Sequence, residues 1–326
     1  MNKCRPLAGG EILMEENSRF LSPAISHNKG FTPLLWLFCV KAIFFCGNSP
    51  DLVSGCGGGE FLIEYAVMPV ILVTNDDGVH SPGISALHKA VEKLGDAFVV
   101  APDRERSAAG HSLTLHRPLR AEEIRERVFS VNGTPTDCVT LGVNKLLPER
   151  PSLIVSGINR GANLGDDITY SGTVSAAVEG TMFGIPSIAF SLIFGKHYHY
   201  DTASHFALRL AAFVLQHSLP YDTLLNVNIP NMAAEKIRGV RFTKQGKRVY
   251  DNSIQETYNP WGEKHYWIGG GTPYWERGED MDMEAVQRNC ISITPIHLDL
   301  TNYEALSFFR EKWALRDIWD EADKEI

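Results

Sequence analysis

From Met68 onward the chain alternates between short strand-like runs and stretches whose apolar positions recur at helical spacing. Val70 to Val73, Ala97 to Ala101 and Leu153 to Val155 are unbroken apolar runs, which predict buried strands. Ser187 to Phe190, Leu224 to Ile229 and Ile291 to Thr294 are read as further strands. Between them Ile84, Leu87, Val91 and Leu94 keep a helical period until Gly95 stops it, and Ala176, Ala177 and Gly180 mark a small-residue helix. Further helices are predicted over Thr202 to His217 and, as an amphipathic closing element, over Asn302 to Trp319. Leu113 to Val131 breaks into short extended pieces, read as a hairpin, after which Thr134 as cap and Pro135 in the first turn predict another helix. Strand and helix in alternation give an α/β fold with a mostly parallel sheet flanked by helices.

Two stretches depart from this rhythm. Between Arg241 and Asp282 the aromatics Tyr250, Tyr258, Trp261, Tyr266, Trp267, Tyr274 and Trp275 stand among glycines and charges with no helical period. That pattern predicts a protruding hairpin packed on another subunit, with a hairpin folded over its own sheet as the alternative. The first 67 residues show no clear period, and their one apolar run, Leu34 to Phe45, is broken by Lys41 and falls short of the roughly 18 to 20 residues of a membrane span. Met68 is the expected functional start, leaving 326 − 67 = 259 residues for one α/β unit, with residues 1–67 expected to be poorly ordered and dispensable. The expected organisation is a core over 68–240, an arm over about 241–285 and a closing strand and helix over 286–326.

Composition narrows the partners. The net charge is −8, with no long basic run, which excludes a general nucleic-acid polymer binder. Six cysteines without C-x-x-C or zinc-ligand spacing point to a reducing compartment, so the expected location is cytoplasmic, with no membrane association.

The candidate chemistry gathers at predicted strand ends. The first strand runs into Thr74-Asn75-Asp76-Asp77-Gly78, and ligands of open parallel sheets sit beyond the carboxyl ends of the strands. Adjacent carboxylates repel, and a hard divalent cation is the favoured remedy; an ordinary turn is the alternative reading. Ser107 follows the second strand and Asn159 the third, so both can converge with Asp76 and Asp77. An oxygen-only set of this kind suits Mg²⁺ or Mn²⁺ better than zinc. A cation there could bind a phosphate oxygen and activate water. Tyr170-Ser171-Gly172-Thr173 opens the small-residue helix and offers N–H groups and hydroxyls to a phosphate, with plain N-capping equally open.

I-L-V-T-N-D-D-G, A-P-D-R-E-R-S-A-A-G-H-S, N-G-T-P-T-D-C-V, S-G-I-N-R-G-A-N and Y-S-G-T-V-S-A-A-V-E-G, in this order from Met68, resemble the successive signature blocks of the SurE family of survival-protein nucleotidases. The resemblance implies a metal-dependent phosphomonoesterase acting on nucleoside 5′- and 3′-monophosphates, with some members trimming short polyphosphate. It carries the metal ligands onto Asp76, Asp77, Ser107 and Asn159, one divalent cation per subunit. It also implies a Rossmann-like core, an arm exchanged between subunits of a homodimer or homotetramer, and a swapped C-terminal segment. The family has no counterpart to residues 1–67. Beyond the ligands, Asn75 is a candidate for orienting the loop or touching phosphate, Ser171, Gly172 and Thr173 for phosphate binding, and Arg106 and Arg160 for neutralising it. His111 is the best-placed imidazole for proton transfer. His197 and His199 are read as surface residues, and Asp166 and Asp167 as turn or capping chemistry.

Other classes fit less well. A nicotinamide enzyme needs G-x-G-x-x-G where this chain has Asp76-Asp77-Gly78, and a haloacid dehalogenase-type phosphatase needs D-x-D. A non-catalytic metal- or nucleotide-binding regulatory protein remains the alternative.

Overall fold

The computed structural model describes residues 68–249, 254–268, 274–275, 278–313 and 315. Residues 1–67, Tyr250 and the last residues of the predicted closing helix lie outside the described residues. The architecture is that of the unit Met68–Ile326.

Its first half runs β1 (Val70–Thr74), α1 (Pro82–Val91), β2 (Asp96–Pro102), β3 (Ala121–Arg125), β4 (Val128–Val131), α2 (Pro135–Leu141), β5 (Leu153–Arg160) and α3 (Gly172–Met182). Then come β6 (Ser187–Leu192), α4 (Tyr200–His217), β7 (Thr223–Ile229), β8 (Val240–Phe242), β9 (Arg248–Val249), β10 (Ile254–Tyr258), β11 (Lys264–Ile268), β12 (Tyr274–Trp275), α5 (Asp282–Gln287), β13 (Ile291–His297) and α6 (Tyr303–Lys312). Nine strands form the main sheet in the order β3-β4-β2-β1-β5-β6-β7-β13-β8. From β4 to β7 all neighbours are parallel, while β3 and β13 pair antiparallel to β4 and β7. The expected mostly parallel sheet with flanking helices is therefore what the chain builds.

The alternation of side chains along each strand assigns them to two layers. Ile71 and Val73 of β1 pack with Ile84, Leu87 and Val91 of α1 and with Ala203, Ala207, Ala211 and Val214 of α4. Leu72, between them, points to the other face and meets Cys138, Val139 and Ala176. Both faces of β1 are covered, which is why its sequence is an unbroken apolar run. Helix α1 starts on Ser81, whose hydroxyl caps it, with Pro82 following. It lies so close to β5 that a Cβ on Gly83 would stand 2.0 Å from the Ile158 carbonyl oxygen, a contact only glycine permits. Helix α2 carries the predicted cap as a reciprocal pair between Thr134 and Asp137.

Strand order reverses between β1 and β5. The chain fills the sheet outward through β2 and β4, then returns to the middle and proceeds through β5, β6 and β7. The two loops leaving the sheet at this switch point diverge and open a crevice there.

Three expectations need correction. The third strand does not end at Val155: β5 continues to Arg160, with a register shift against β6 between Ser156 and Asn159. Its ladder is made by backbone groups, so the polar residues Ser156 and Asn159 did not have to leave the sheet. The stretch predicted as arm from Arg241 opens inside β8, which pairs with β13 in the main sheet. The closing helix stops at Lys312, where Trp313 turns extended. The antiparallel pair β10–β11 stands apart as its own sheet, as does the short pair β9–β12. No helix among the described residues is long and apolar enough to cross a membrane.

Candidate active site

The end of β1 delivers Asn75, Asp76 and Asp77 to the switch point. Asn75 is fully buried, and its amide nitrogen donates to the Gly78 carbonyl at 3.0 Å and to Ser81 Oγ at 2.8 Å. It ties the acidic loop to the start of α1. Its Oδ1 is buried with no partner. Asp76 is 6% exposed, its Oδ1 takes a short hydrogen bond from Thr173 Oγ1, and its carbonyl accepts from the Arg106 N–H at 2.7 Å. Burial pushes the Asp76 carboxyl up to about 6; the Thr173 hydrogen bond pulls it down, and the neighbouring Asp77 charge adds to the rise. Asp77 is also raised by burial, against the Arg160 N–H that donates to its Oδ2 at 3.2 Å. Two carboxylates held side by side out of water at the end of a rigid strand are poorly neutralised by the protein.

The neighbouring strand ends complete the wall. Asp76, Asp77, Ser107, Asn159, Arg160 and Ser171 all line one cavity of about 490 Å³. Ser107 Oγ donates to Glu105 Oε1 at 2.6 Å, which spends its proton and leaves its lone pairs for an electrophile. The Asn159 amide nitrogen donates to the Gly161 carbonyl at 3.0 Å, so its carbonyl oxygen is the atom left for a cation. Arg160 Nε lies 3.8 Å from Asp77 and its Nη2 lies 3.9 Å from Glu105. Ser171 caps α3 by accepting from the Val174 N–H at 3.1 Å. Gly172 is where that helix rests on Asp76, and Thr173 is fully buried beneath it. Helix α3 thus aims its first N–H groups, which have no intrahelical acceptor, at the same crevice.

Two candidates face elsewhere. Arg106 reaches Asp103 Oδ1 at 3.4 Å and the Asn132 carbonyl at 3.3 Å and is not on the cavity wall. His111 also lies off that wall, its Nε2 2.8 Å from Glu179 Oε2, whose other oxygen accepts from Thr140 at 3.0 Å. That pairing fastens the loop after β2 to α3. Asp166 and Asp167 sit in a 3-10 turn, Gly165–Thr169, and Asp167 pairs with Arg248 while also lining the cavity. His197 and His199 are exposed.

Sequence reasoning missed the aromatic side of the cavity. Phe194 and Tyr198, from the loop between β6 and α4, form part of its lining. Their signal was present: aromatics at 194, 198 and 200 directly after a parallel strand. Tyr200 follows, its phenol pushed up to about 12 by burial and by the Asp77 charge.

Among the described residues, no three His, Cys, Asp or Glu side chains gather as a metal cluster. The donors present are instead two carboxylates, a hydroxyl and an amide carbonyl, all hard oxygens, and they fit a divalent cation of the Mg²⁺ or Mn²⁺ type.

An open parallel sheet with a carboxylate-floored crevice at its switch point defines an α/β protein that receives a charged small ligand beyond its strand ends. Comparison with known proteins carries this to a family. The model of the family described as survival protein SurE matches residues 71–252. The chain is 56% identical over 246 residues to the 5′-nucleotidase SurE of Geobacter sulfurreducens, an alignment covering 75% of this chain and 94% of that protein. It is 54% identical over 257 residues to the 5′-nucleotidase SurE of Geobacter metallireducens, covering 78% and 99%. The crystal structure of the SurE protein from Aquifex aeolicus aligns with a TM-score of 0.67 at 44% identity, covering 74% of this chain and 99% of that one. The chain belongs to the SurE family.

Proposed function

We propose that this protein is a metal-dependent nucleotidase that hydrolyses nucleoside 5′- and 3′-monophosphates to nucleoside and phosphate, with short-chain polyphosphate as a further substrate. The names of its relatives support a phosphomonoester hydrolase. The observation that carries metal dependence is the charge of the cavity. Its lining holds four carboxylates, Asp76, Asp77, Glu105 and Asp167, against one guanidinium, Arg160. A phosphate dianion entering such a crevice meets net repulsion unless a divalent cation enters with it.

Asp76, Asp77, Ser107 and Asn159 would hold one Mg²⁺ or Mn²⁺ per subunit. When bound, the cation supplies positive charge against the phosphate oxygens and acidifies a water nucleophile. The chain's own residues do the rest. Asn75 orients the acidic loop through its bonds to Gly78 and Ser81. Thr173 fixes the rotamer of Asp76. Ser171, with the N–H groups of Gly172 and Thr173, places the positive end of α3 at the phosphate. Arg160, beside Asp77 and Glu105 on the lining, neutralises a phosphate oxygen.

The exposed aromatics of the β10–β11 pair and the absence of any buried residue in α6 support a homodimer or homotetramer built through the arm, with the C-terminal segment exchanged. The buried free thiols Cys138 and Cys290 support a cytoplasmic location.

The test is phosphate release from nucleoside 5′- and 3′-monophosphates and short polyphosphate with Mn²⁺, Mg²⁺ or excess chelator, for the full chain and for one beginning at Met68. Chelator-sensitive release by both is expected. Release that survives the chelator would refute metal dependence, and no release from a folded chain would leave the binding-protein alternative. A shortened chain that fails to fold would show that residues 1–67 are needed.

A further inference from the structure

We propose that Phe194 and Tyr198 form a stacking wall for the nucleobase, a subsite that reads the flat face of the ring and not its edge. This inference rests on the nucleotidase reading and adds to it the way the rest of the substrate is held.

Four observations carry it. The cavity is chemically divided: carboxylates and the start of α3 lie on some of its walls, and Phe194 and Tyr198 supply aromatic surface to the same space. With phosphate fixed at the charged groups, the remaining apolar surface suits the one flat, weakly polar part of a nucleotide. Next, Phe194 is 78% exposed, so its ring is not spent on the core. Lone exposed aromatics are ordinary, but this one is supported: its ring meets Tyr198 edge-on at 6.3 Å, and Tyr198 stacks on Tyr200 at 5.7 Å. Tyr198 and Tyr200 pack in turn against the main core.

The loop is also fixed before any ligand arrives. Asn231, just past β7, accepts from the His199 N–H at 2.9 Å and donates to the His197 carbonyl at 2.6 Å, clamping both sides of Tyr198. A prearranged aromatic surface loses little freedom on binding, which is what makes stacking productive. Finally, Asn163, the side-chain amide on this lining, has its donor engaged. Its Nδ2 donates to Ser191 Oγ at 2.7 Å, while its main-chain carbonyl accepts from the Asn226 and Asn228 amides, each at 2.8 Å. Reading the face without an N–H from Asn163 predicts tolerance among bases, with purines ahead of pyrimidines because they offer more π surface.

The experiment compares adenosine 5′-monophosphate with ribose 5-phosphate, which lacks the base, in the full chain, Phe194→Ala and Phe194→Trp. The ratio of kcat/KM between the two substrates should fall about tenfold in Phe194→Ala, through KM, and be restored in Phe194→Trp. Calorimetric binding of the same two ligands reads the same ratio without turnover. A ratio unchanged in Phe194→Ala overturns the wall, as does an equal loss on both ligands that Phe194→Trp fails to rescue. A binding ratio that falls as expected in a chain releasing no phosphate keeps the wall and refutes the hydrolase reading instead.

Discussion

Gly172→Ala sets two well-understood effects against each other. Alanine is worth up to about 1 kcal/mol over glycine in a helix, and less at the first position. Against it stands the floor of the site: a Cβ on residue 172 would lie 2.8 Å from Asp76 Cβ, 3.0 Å from Asp76 Oδ2 and 3.2 Å from Pro135 Cγ. Carbon atoms prefer roughly 3.5 to 4.0 Å. Asp76 has little room to retreat, because its carbonyl accepts from Arg106, its carboxylate is bonded by Thr173, and it follows a strand buried on both faces. Forcing a methyl into a packed interior costs about 1 to 3 kcal/mol. Repulsion therefore wins, with a net loss on the order of 1 kcal/mol, and the melting temperature should fall roughly 2 to 4 °C. The larger effect falls on turnover. A displacement of catalytic groups near 1 Å can cost about a hundredfold, so kcat/KM should fall by about ten- to a hundredfold while the fold persists. Thermal melting by circular dichroism and Mn²⁺-supported phosphate release decide it. A raised melting temperature with unchanged kcat/KM would show that α3 does not bear on Asp76 as the distances require.

Asp76→Asn keeps volume and deletes charge, so cation binding by calorimetry and phosphate release should fall more than about a hundredfold with the near-ultraviolet spectrum intact; normal turnover would overturn the assignment. Asp282 is fully buried and held above its ordinary value by burial, although the N–H groups of Gly165, Gly246 and Met283 donate to it. Its folded pKa exceeds the unfolded one, so its contribution is whole below about pH 4 and is lost as pH rises through the folded value. In urea titrations the advantage of the native chain over Asp282→Asn should shrink with rising pH, and a widening gap would reverse the sign. Trp261 and Trp267, 84% and 66% exposed on the arm, should be needed for assembly. Replacing both with Ser should lower the sedimentation coefficient, and an unchanged value would remove the arm from the interface.

The middle of the sheet was legible because strands such as β1 are covered on both faces, which forces unbroken apolar runs like Val70 to Val73 that no surface segment tolerates. Asp76 and Asp77 were legible for a related reason: two charges directly after such a run must stand at a strand end. His111 and Arg106 were candidates whose direction stayed open, because sequence places a residue in a loop without saying which way it turns. Glu179, 68 residues from His111, and Asn132, 26 from Arg106, decide that direction. Phe194 and Tyr198 join the site only because β6, which they follow, lies beside β5 in the sheet.

Local chemistry along the chain thus determined the elements, their caps and the identity of the acidic loop, since strand burial, capping and charge repulsion act over a few residues. Tertiary structure alone decided which strand ends share a crevice, how far β5 extends as a ladder of backbone bonds, and which side chains of each loop turn toward the cavity. Those outcomes depend on contacts between residues far apart in sequence, and side-chain direction in a loop is set by whichever distant partner satisfies it.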